Sequence, residues 1–133
     1  MGGYAITKKL GCGYAEAVEK AREALAEEGF GILTEIDVKA TLKKKLDKEF
    51  RNYIILGACN PPYAYQALTA ELEIGLMMPC NVIVYENDDE GGGGSTVSAI
   101  DPVAVMGAID NPELATFAEE VRAGLEKALS SLG

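Results

Sequence analysis

The chain has 133 residues and a mass of 14.1 kDa, and a length in the range of ~100–200 residues predicts one domain over residues 1–133. Its 48% hydrophobic and 25% charged residues are typical of globular proteins and exclude a disordered acidic segment. The net charge of −9 argues against nucleic acids and anionic membranes as partners. The chain contains no histidine, which excludes histidine acid–base catalysis and histidine-containing zinc sites.

The expected location follows from the same hydropathy pattern. No apolar run reaches the roughly 18 residues that a membrane span needs. Residues 1–11 lack the apolar segment of a signal peptide. We therefore expect a cytoplasmic protein that makes no contact with a membrane.

The first half of the chain alternates strand and helix patterns. Residues 3–10 read as a strand, and residues 14–28 carry apolar residues at helical spacing, with Gly29 as the natural stop. Residues 30–37 alternate with the period of a strand, which predicts Phe30, Ile32, Thr34 and Ile36 on one face. Residues 38–46 then form a short helix, for which Asp37 is the expected N-cap.

The second half contains most of the predicted sheet. Strands are expected at 53–56, 74–78, 81–86 and 96–100, with Pro79 interrupting the middle pair. Helices are expected from Asn60 to near Glu71, over one or two turns at 103–109, and from Pro112 to the end of the chain. Residues 87–94, which are acidic and then glycine-rich, are typical of a solvated hairpin tip.

This order of elements predicts an α+β fold. Strands clustered between two amphipathic helices favour a largely antiparallel sheet with both long helices on one face, of the β-α-β(4)-α type with short helical inserts.

Two cysteines are the candidate catalytic residues. Cys59 ends a buried strand just before a helix N-terminus, where the helix dipole lowers the pKa of a thiol. Cys80 is its candidate redox partner, and the amides that follow these two residues, Asn60 and Asn81, are candidate ligand contacts. The alternative is that both thiols are small buried apolar groups. Because Cys12 makes the count odd and there is no CxxC, neither a disulfide scaffold nor a metal site or other cofactor is predicted.

Three carboxylates form a weaker candidate site. Glu35 and Asp37 are two residues apart in a strand, so their side chains share one face and their proximity can raise a pKa. With Asp101 they offer the oxygen ligands of a divalent-cation site. The alternative is structural, since Asp37 suits a helix cap and Asp101 precedes a proline as turn residues often do.

Positive charge is concentrated in one segment. Residues 39–51 contain six basic residues, among them Lys39 and Lys43, and two acidic ones, which gives a local charge of +4 while the remainder carries −13. Such a segment suits an anionic ligand or the acidic surface of a second copy. The alternative is a solvated helix face.

Four phrases in order resemble a known family: FGILTEIDVKATLKKKL at 30–46, YIILGACNPPYAYQAL at 53–68, IGLMMPCNVIVYE at 74–86 and VSAIDP at 97–102. Together they are similar to the "domain of unknown function 302" family over almost the whole chain. The resemblance implies a compact α+β domain related in architecture to TATA-binding-protein-like folds, and usually a dimer. It implies no activity.

Three functional hypotheses follow. The first is a homodimeric binding or regulatory module for an anionic small molecule or protein partner, with a site near residues 35–45 and 57–62. Dimerisation would cover exposed strand edges and the apolar stripe at 76–78. The second is a thiol-dependent redox enzyme or sensor that uses Cys59 with Cys80. The third is a divalent-cation site at Glu35, Asp37 and Asp101.

Overall fold

The computed structural model describes residues 3–88 and 93–133. Five strands and six helical segments follow one another along the chain. In chain order they are β1 (Ala5–Leu10), α1 (Tyr14–Glu27), β2 (Gly31–Asp37), α2 (Val38–Leu46), β3 (Tyr53–Cys59), α3 (Pro61–Ala70), a 3-10 helix (Leu72–Met77), β4 (Cys80–Glu86), β5 (Ser95–Ile100), α4 (Pro102–Met106) and α5 (Pro112–Ser130).

The five strands form one sheet in the order β1-β5-β4-β3-β2, and every neighbouring pair is antiparallel. β1 lies at one edge of the sheet and pairs with β5, while β2 forms the opposite edge. The predicted α+β class and the β-α-β(4)-α order of the main elements are confirmed.

One face of the sheet is covered by α1 and α5. Alternate residues of the three central strands are fully buried there, among them Leu56 on β3, Val82 on β4 and Val97 on β5. Leu25 of α1 and Leu125 of α5 belong to the same buried cluster. We refer to this side of the sheet as the covered face, and the prediction that both long helices lie on one face is confirmed.

A register shift in β2 changes which residues reach the covered face. Ile32 pairs with Ala58, but Thr34 pairs with Gly57, so the chain bulges between Ile32 and Thr34. Thr34 and Ile36 therefore lie on the side of the sheet opposite to Ile32. The predicted single face for these residues is wrong because period-2 alternation holds only where a strand pairs without interruption.

The strand predicted at 74–78 is also wrong, because residues 74–77 belong to the 3-10 helix and Met78 follows it. Ile74 is buried against α5, whereas Leu72 and Leu76 are 82% and 84% exposed. In a strand, residues two apart share a face, so this exposure pattern does not fit one. In the sequence, the short apolar run is compatible with both structures. Ile74 packs in a second core cluster, separate from the one under the covered face, and this packing decides between them. The second cluster consists of Ala67, Ile74, Met106, Leu114 and Ala118.

Several local predictions are confirmed. The Asp37 carboxylate accepts the Ala40 N–H as the N-cap of α2, and Gly29 follows α1 with a φ of +86°. Part of the predicted hairpin tip, residues 89–92, lies outside the described residues. None of the helices in the described ranges combines the length and hydropathy that a membrane span requires.

Candidate functional site

A small cavity lies where the end of β3 meets α3, the start of β4, α4 and α5. Four of the twelve residues that line it carry sulfur, and three are aromatic. Its lining consists of Phe30, Ala58, Cys59, Asn60, Tyr63, Ala64, Met78, Pro79, Cys80, Met106, Phe117 and Val121. The volume is about 30 Å³, close to the share of one water molecule and roughly a tenth of the smallest usual ligand pocket.

Sheet pairing brings the two candidate cysteines to this cavity. Ala58 pairs with Cys80, so Cys59 lies one residue beyond the cross-strand partner of Cys80. Burial, and secondly the charge of Cys59, raise the pKa of the Cys80 thiol to about 11. At neutral pH the Cys80 thiol is protonated, which makes it a poor resolving thiol for redox chemistry.

The two candidate amides lie apart. Asn60 is the N-cap of α3 and lines the cavity with Cys59. Asn81 pairs with Gly57 and lines a shallow depression on the opposite side of the sheet, with Tyr4, Ile83 and Ile100 among its neighbours.

The three candidate carboxylates do not converge. The Glu35 carboxylate binds Arg22 of α1, with 2.9 Å between Nη1 and Oε2, and this hydrogen bond and charge lower the pKa of Glu35. Asp37 caps α2 at one end of the sheet, whereas Asp101 caps α4 at the other end and binds Arg122. Asp101 follows β5, three strands from β2, which is about 14 Å at ordinary strand spacing.

Across residues 3–88 and 93–133 no group of three or more cysteine, aspartate or glutamate side chains is arranged to hold a metal ion. The divalent-cation hypothesis therefore gains no support from the positions of its three carboxylates, each of which has a structural partner.

The basic segment forms an exposed helix. No residue of α2 is buried, and the helix contacts only the ends of β2 and β3 to any extent. The Lys43 ammonium binds the carboxylates of Asp47 and Glu49 at 2.7 and 3.0 Å, and these hydrogen bonds raise the pKa of Lys43. Lys39, Lys44, Lys45 and Lys48 make no salt bridge within the described part of the chain.

The sheet has a second face that sequence reasoning overlooked. Opposite the covered face, six apolar or aromatic side chains lie outside both core clusters and remain at least partly exposed: Ile36, Tyr53, Ile55, Ile83, Tyr85 and Ile100. We call this the open face. The rings of Tyr53 and Tyr85 stack on it with centroids 5.4 Å apart. The available signal in the sequence was a set of isoleucines at odd positions in β3 and β4, which alternate with the buried residues. It was missed because the continuous apolar run at 53–56 predicts a strand that is buried on both sides.

Comparisons with known proteins agree with this fold. The model of the family described as "Domain of unknown function DUF302" matches residues 6–132. A crystal structure of an uncharacterised conserved DUF302 protein from Bacillus stearothermophilus is similar, with a TM-score of 0.87 and 28% sequence identity over 97% of this chain and 98% of that one. No curated protein matches the sequence. The chain therefore belongs to the DUF302 family, whose function is unknown.

Proposed function

We propose that the protein is a homodimeric binding module, in which two copies meet through their open faces and α2 presents positive charge to an acidic protein partner. The open face carries the proposal. It is an apolar and aromatic surface, Ile36 on it is 48% exposed, and neither long helix packs there.

Charge supports a second copy as the occupant. Strand alternation and pairing place one charged residue, Lys9, on the open face. Outside the basic segment 39–51 the remaining surface is strongly acidic, since those other residues together carry −13. Two copies that joined through any acidic surface would repel one another, and a nearly uncharged face removes that cost.

The size of the open face also suits a dimer. Five strands about 4.8 Å apart and six residues long cover roughly 500 Å². Two such faces remove roughly 1,000 Å² from water, which is near the lower limit for a specific interface. We therefore expect a dimer that dissociates on dilution.

The exposure of α2 favours a protein over a small molecule as the anionic partner. Small ligands bind in concave pockets that bury most of their surface, whereas α2 has no buried residue. Lys44 and Lys45 can instead meet carboxylates across a flat contact. The three free cysteines support a cytoplasmic setting, because thiols stay reduced there, whereas disulfides form and persist in oxidising compartments.

Analytical ultracentrifugation of matched aspartate variants tests the dimer. Ile83→Asp places a charge at the centre of the open face, and we expect it to yield monomers at concentrations where the natural protein is dimeric. Leu72→Asp is the control, because Leu72 is an equally apolar residue on the 3-10 helix, away from the sheet, and 82% exposed. Circular dichroism checks that both variants fold.

A monomeric natural protein would overturn the dimer proposal. So would a dimer that survives Ile83→Asp but is lost in Leu72→Asp, because the interface would then lie on the 3-10 helix.

Binding of a fluorescent polyglutamate peptide tests the role of α2. We expect Lys44→Glu to weaken this binding and the remaining affinity to fall with salt, since exposed charges are screened. Lys127→Glu is the control, because Lys127 is exposed on α5 and far from α2 along the chain. Equal losses in the two variants would show that net charge alone, and no particular surface, determines binding.

A further inference from the structure

The residues that surround the cavity share an unusual chemistry. Within the described ranges the chain has three cysteines and three methionines, and four of these six residues line this one cavity: Cys59, Met78, Cys80 and Met106. We call them the sulfur cluster. Thiolate and thioether are soft donors, which favour Cu(I) over Mg²⁺ or Ca²⁺. Thiolates also bind Zn²⁺, but its other protein ligands are nitrogen and oxygen atoms rather than thioethers, so the two methionines favour Cu(I).

Separate elements build the sulfur cluster. Cys59 ends β3, Cys80 begins β4, Met78 precedes β4 and Met106 ends α4. The pairing of Ala58 with Cys80 fixes the two cysteines on adjacent strands, and both line the cavity. Met78 and Cys80 are two residues apart, but Cys59 and Met106 come from distant parts of the chain, so no single spacing motif contains all four.

The size and walls of the cavity suit a bare ion. A volume of about 30 Å³ holds one atom-sized guest and excludes an organic ligand. The walls include Tyr63 and Phe117, whose rings meet edge to face at 5.7 Å. Apolar walls offer few partners for bound water, which disfavours harder ions that retain their water shell.

We propose that the sulfur cluster is a binding site for one Cu(I) ion, with Cys80 as its central ligand and Met78 and Met106 as thioether ligands. When the ion binds, the Sγ–H bond of Cys80 breaks, an Sγ–Cu bond forms and the proton leaves to solvent. The oxidation state of copper does not change. Binding therefore tightens as pH rises, because each ligating thiol gives up one proton. This proposal does not depend on dimerisation or on α2.

Anaerobic titration of the protein with Cu(I), in competition with bicinchoninate, tests the proposal. We expect the protein to retain one Cu(I) ion per chain in the presence of the chelator. Cys80→Ser and Met78→Leu should each weaken retention by about tenfold or more, since even residues behind the ligands contribute that much. Two substitutions serve as controls: Cys12→Ser, which removes a thiol that does not line the cavity, and Met77→Leu, which changes the methionine adjacent to Met78.

The outcomes are separable. Retention that falls in Cys80→Ser and Met78→Leu, but not in Cys12→Ser or Met77→Leu, supports the site. Failure to retain Cu(I), or equal losses in Cys80→Ser and Cys12→Ser, overturns it, because any exposed thiol would then suffice. Met78→Leu conserves volume and apolarity, so it decides the question if circular dichroism finds Cys80→Ser unfolded. Stoichiometric Zn²⁺ binding at the same residues would also overturn the assignment to a soft monovalent ion.

Discussion

The two faces of the sheet are built from alternate residues of the same strands, yet their surroundings differ. On the covered face Leu56, Val82 and Val84 have no exposed surface. On the open face their immediate neighbours Ile55, Ile83 and Tyr85 retain some. Five of these six residues, all but Leu56, are of types that favour strands, so strand propensity does not distinguish the faces. What distinguishes them is the presence of α1 and α5 on one side.

This difference separates stability from association. A fully buried aliphatic side chain contributes to folding in any single copy of the chain. A partly exposed side chain on the open face gains further burial energy only when a partner covers its remaining surface. Mutations on the covered face should therefore lower the stability of the monomer, and mutations on the open face should act chiefly through assembly.

Neighbouring residues of β3 give the largest expected effect. Leu56→Ala removes a side chain with no exposure and should lower the free energy of unfolding by about 2–5 kcal/mol. Ile55→Ala removes a similar side chain from the open face and should cost much less in dilute protein. Urea denaturation at a low and a high protein concentration measures both variants.

Concentration dependence is the discriminating feature of that pair. The cost of Leu56→Ala should be the same at both concentrations, while the cost of Ile55→Ala should increase with concentration, because a dimer adds to native stability by mass action. Equal costs for the two variants in dilute protein would contradict the distinction between the faces.

Gly57 offers the next largest effect, since it lies between two side chains on the open face. A Cβ added there would clash with the Thr34 hydroxyl and come within 2.7 Å of the Pro79 ring. We expect Gly57→Ala to lower the free energy of unfolding by about 1–3 kcal/mol, the usual cost of overpacking. Thermal denaturation measures the shift in Tm.

A second substitution checks the cause of that loss. Thr34→Ala removes the hydroxyl that Gly57→Ala would strike, so the double variant should recover part of the lost stability. If the two effects simply add, the contact with Thr34 is not the source of the strain.

The sequence predicts most elements because their signals are local. Asp37 as a cap, Gly29 as a stop and Pro112 at the start of α5 act within one turn of helix, so the sequence reveals them without knowledge of the rest of the fold. The bulge after Ile32 and the 3-10 helix around Ile74 depend on pairing and packing with distant residues. Propensity and period carry no information about those contacts.

The candidate sites divide in the same way. The sequence singles out Cys59, Asn60 and Cys80, and the fold brings them to one cavity. Met78 lies two residues before Cys80, whereas Met106 joins them only through tertiary packing. The open face was hidden for a related reason, because a strand that is apolar on both sides reads as buried whether or not a helix covers each side.

Asp101 links the end of β5 to α5, which covers the sheet. Its loss should therefore weaken the packing of α5 on the covered face. Its Oδ1 accepts the N–H groups of Val103 and Ala104, and its Oδ2 binds Arg122 of α5 at 2.9 Å. Asp101→Ala should lower the free energy of unfolding by about 1–2 kcal/mol, through the lost cap and ion pair.

Asp101→Asn separates those two roles. The amide oxygen keeps the cap while the charge opposite Arg122 disappears, so this variant should cost less than Asp101→Ala in the same urea denaturation experiment. If the two variants cost the same, the ion pair accounts for the whole effect and the cap for none.

The smallest expected effect concerns Glu35 of β2, whose carboxylate accepts a hydrogen bond from Arg22 of α1. Because Arg22 lowers the pKa of Glu35 in the folded protein, the pair stabilises the fold above the ordinary glutamate pKa of about 4.3. That contribution is lost as pH falls through the lowered pKa, when Glu35 takes up a proton. Glu35→Gln should lower Tm at pH 7 by roughly 2 °C, given the exposure of the pair, and the difference from the natural protein should vanish in acid.

Glu16→Gln is the matched control for that measurement, since Glu16 pairs with Lys20 within α1 and joins no second element. If the ion pair between Arg22 of α1 and Glu35 of β2 stabilises the packing of α1 on the covered face, Glu35→Gln should lower Tm more than Glu16→Gln at pH 7. Equal shifts would mean that the ion pair between α1 and β2 adds nothing beyond surface charge. The covered face would then depend on apolar burial alone, and its contrast with the open face would reduce to the presence or absence of covering helices.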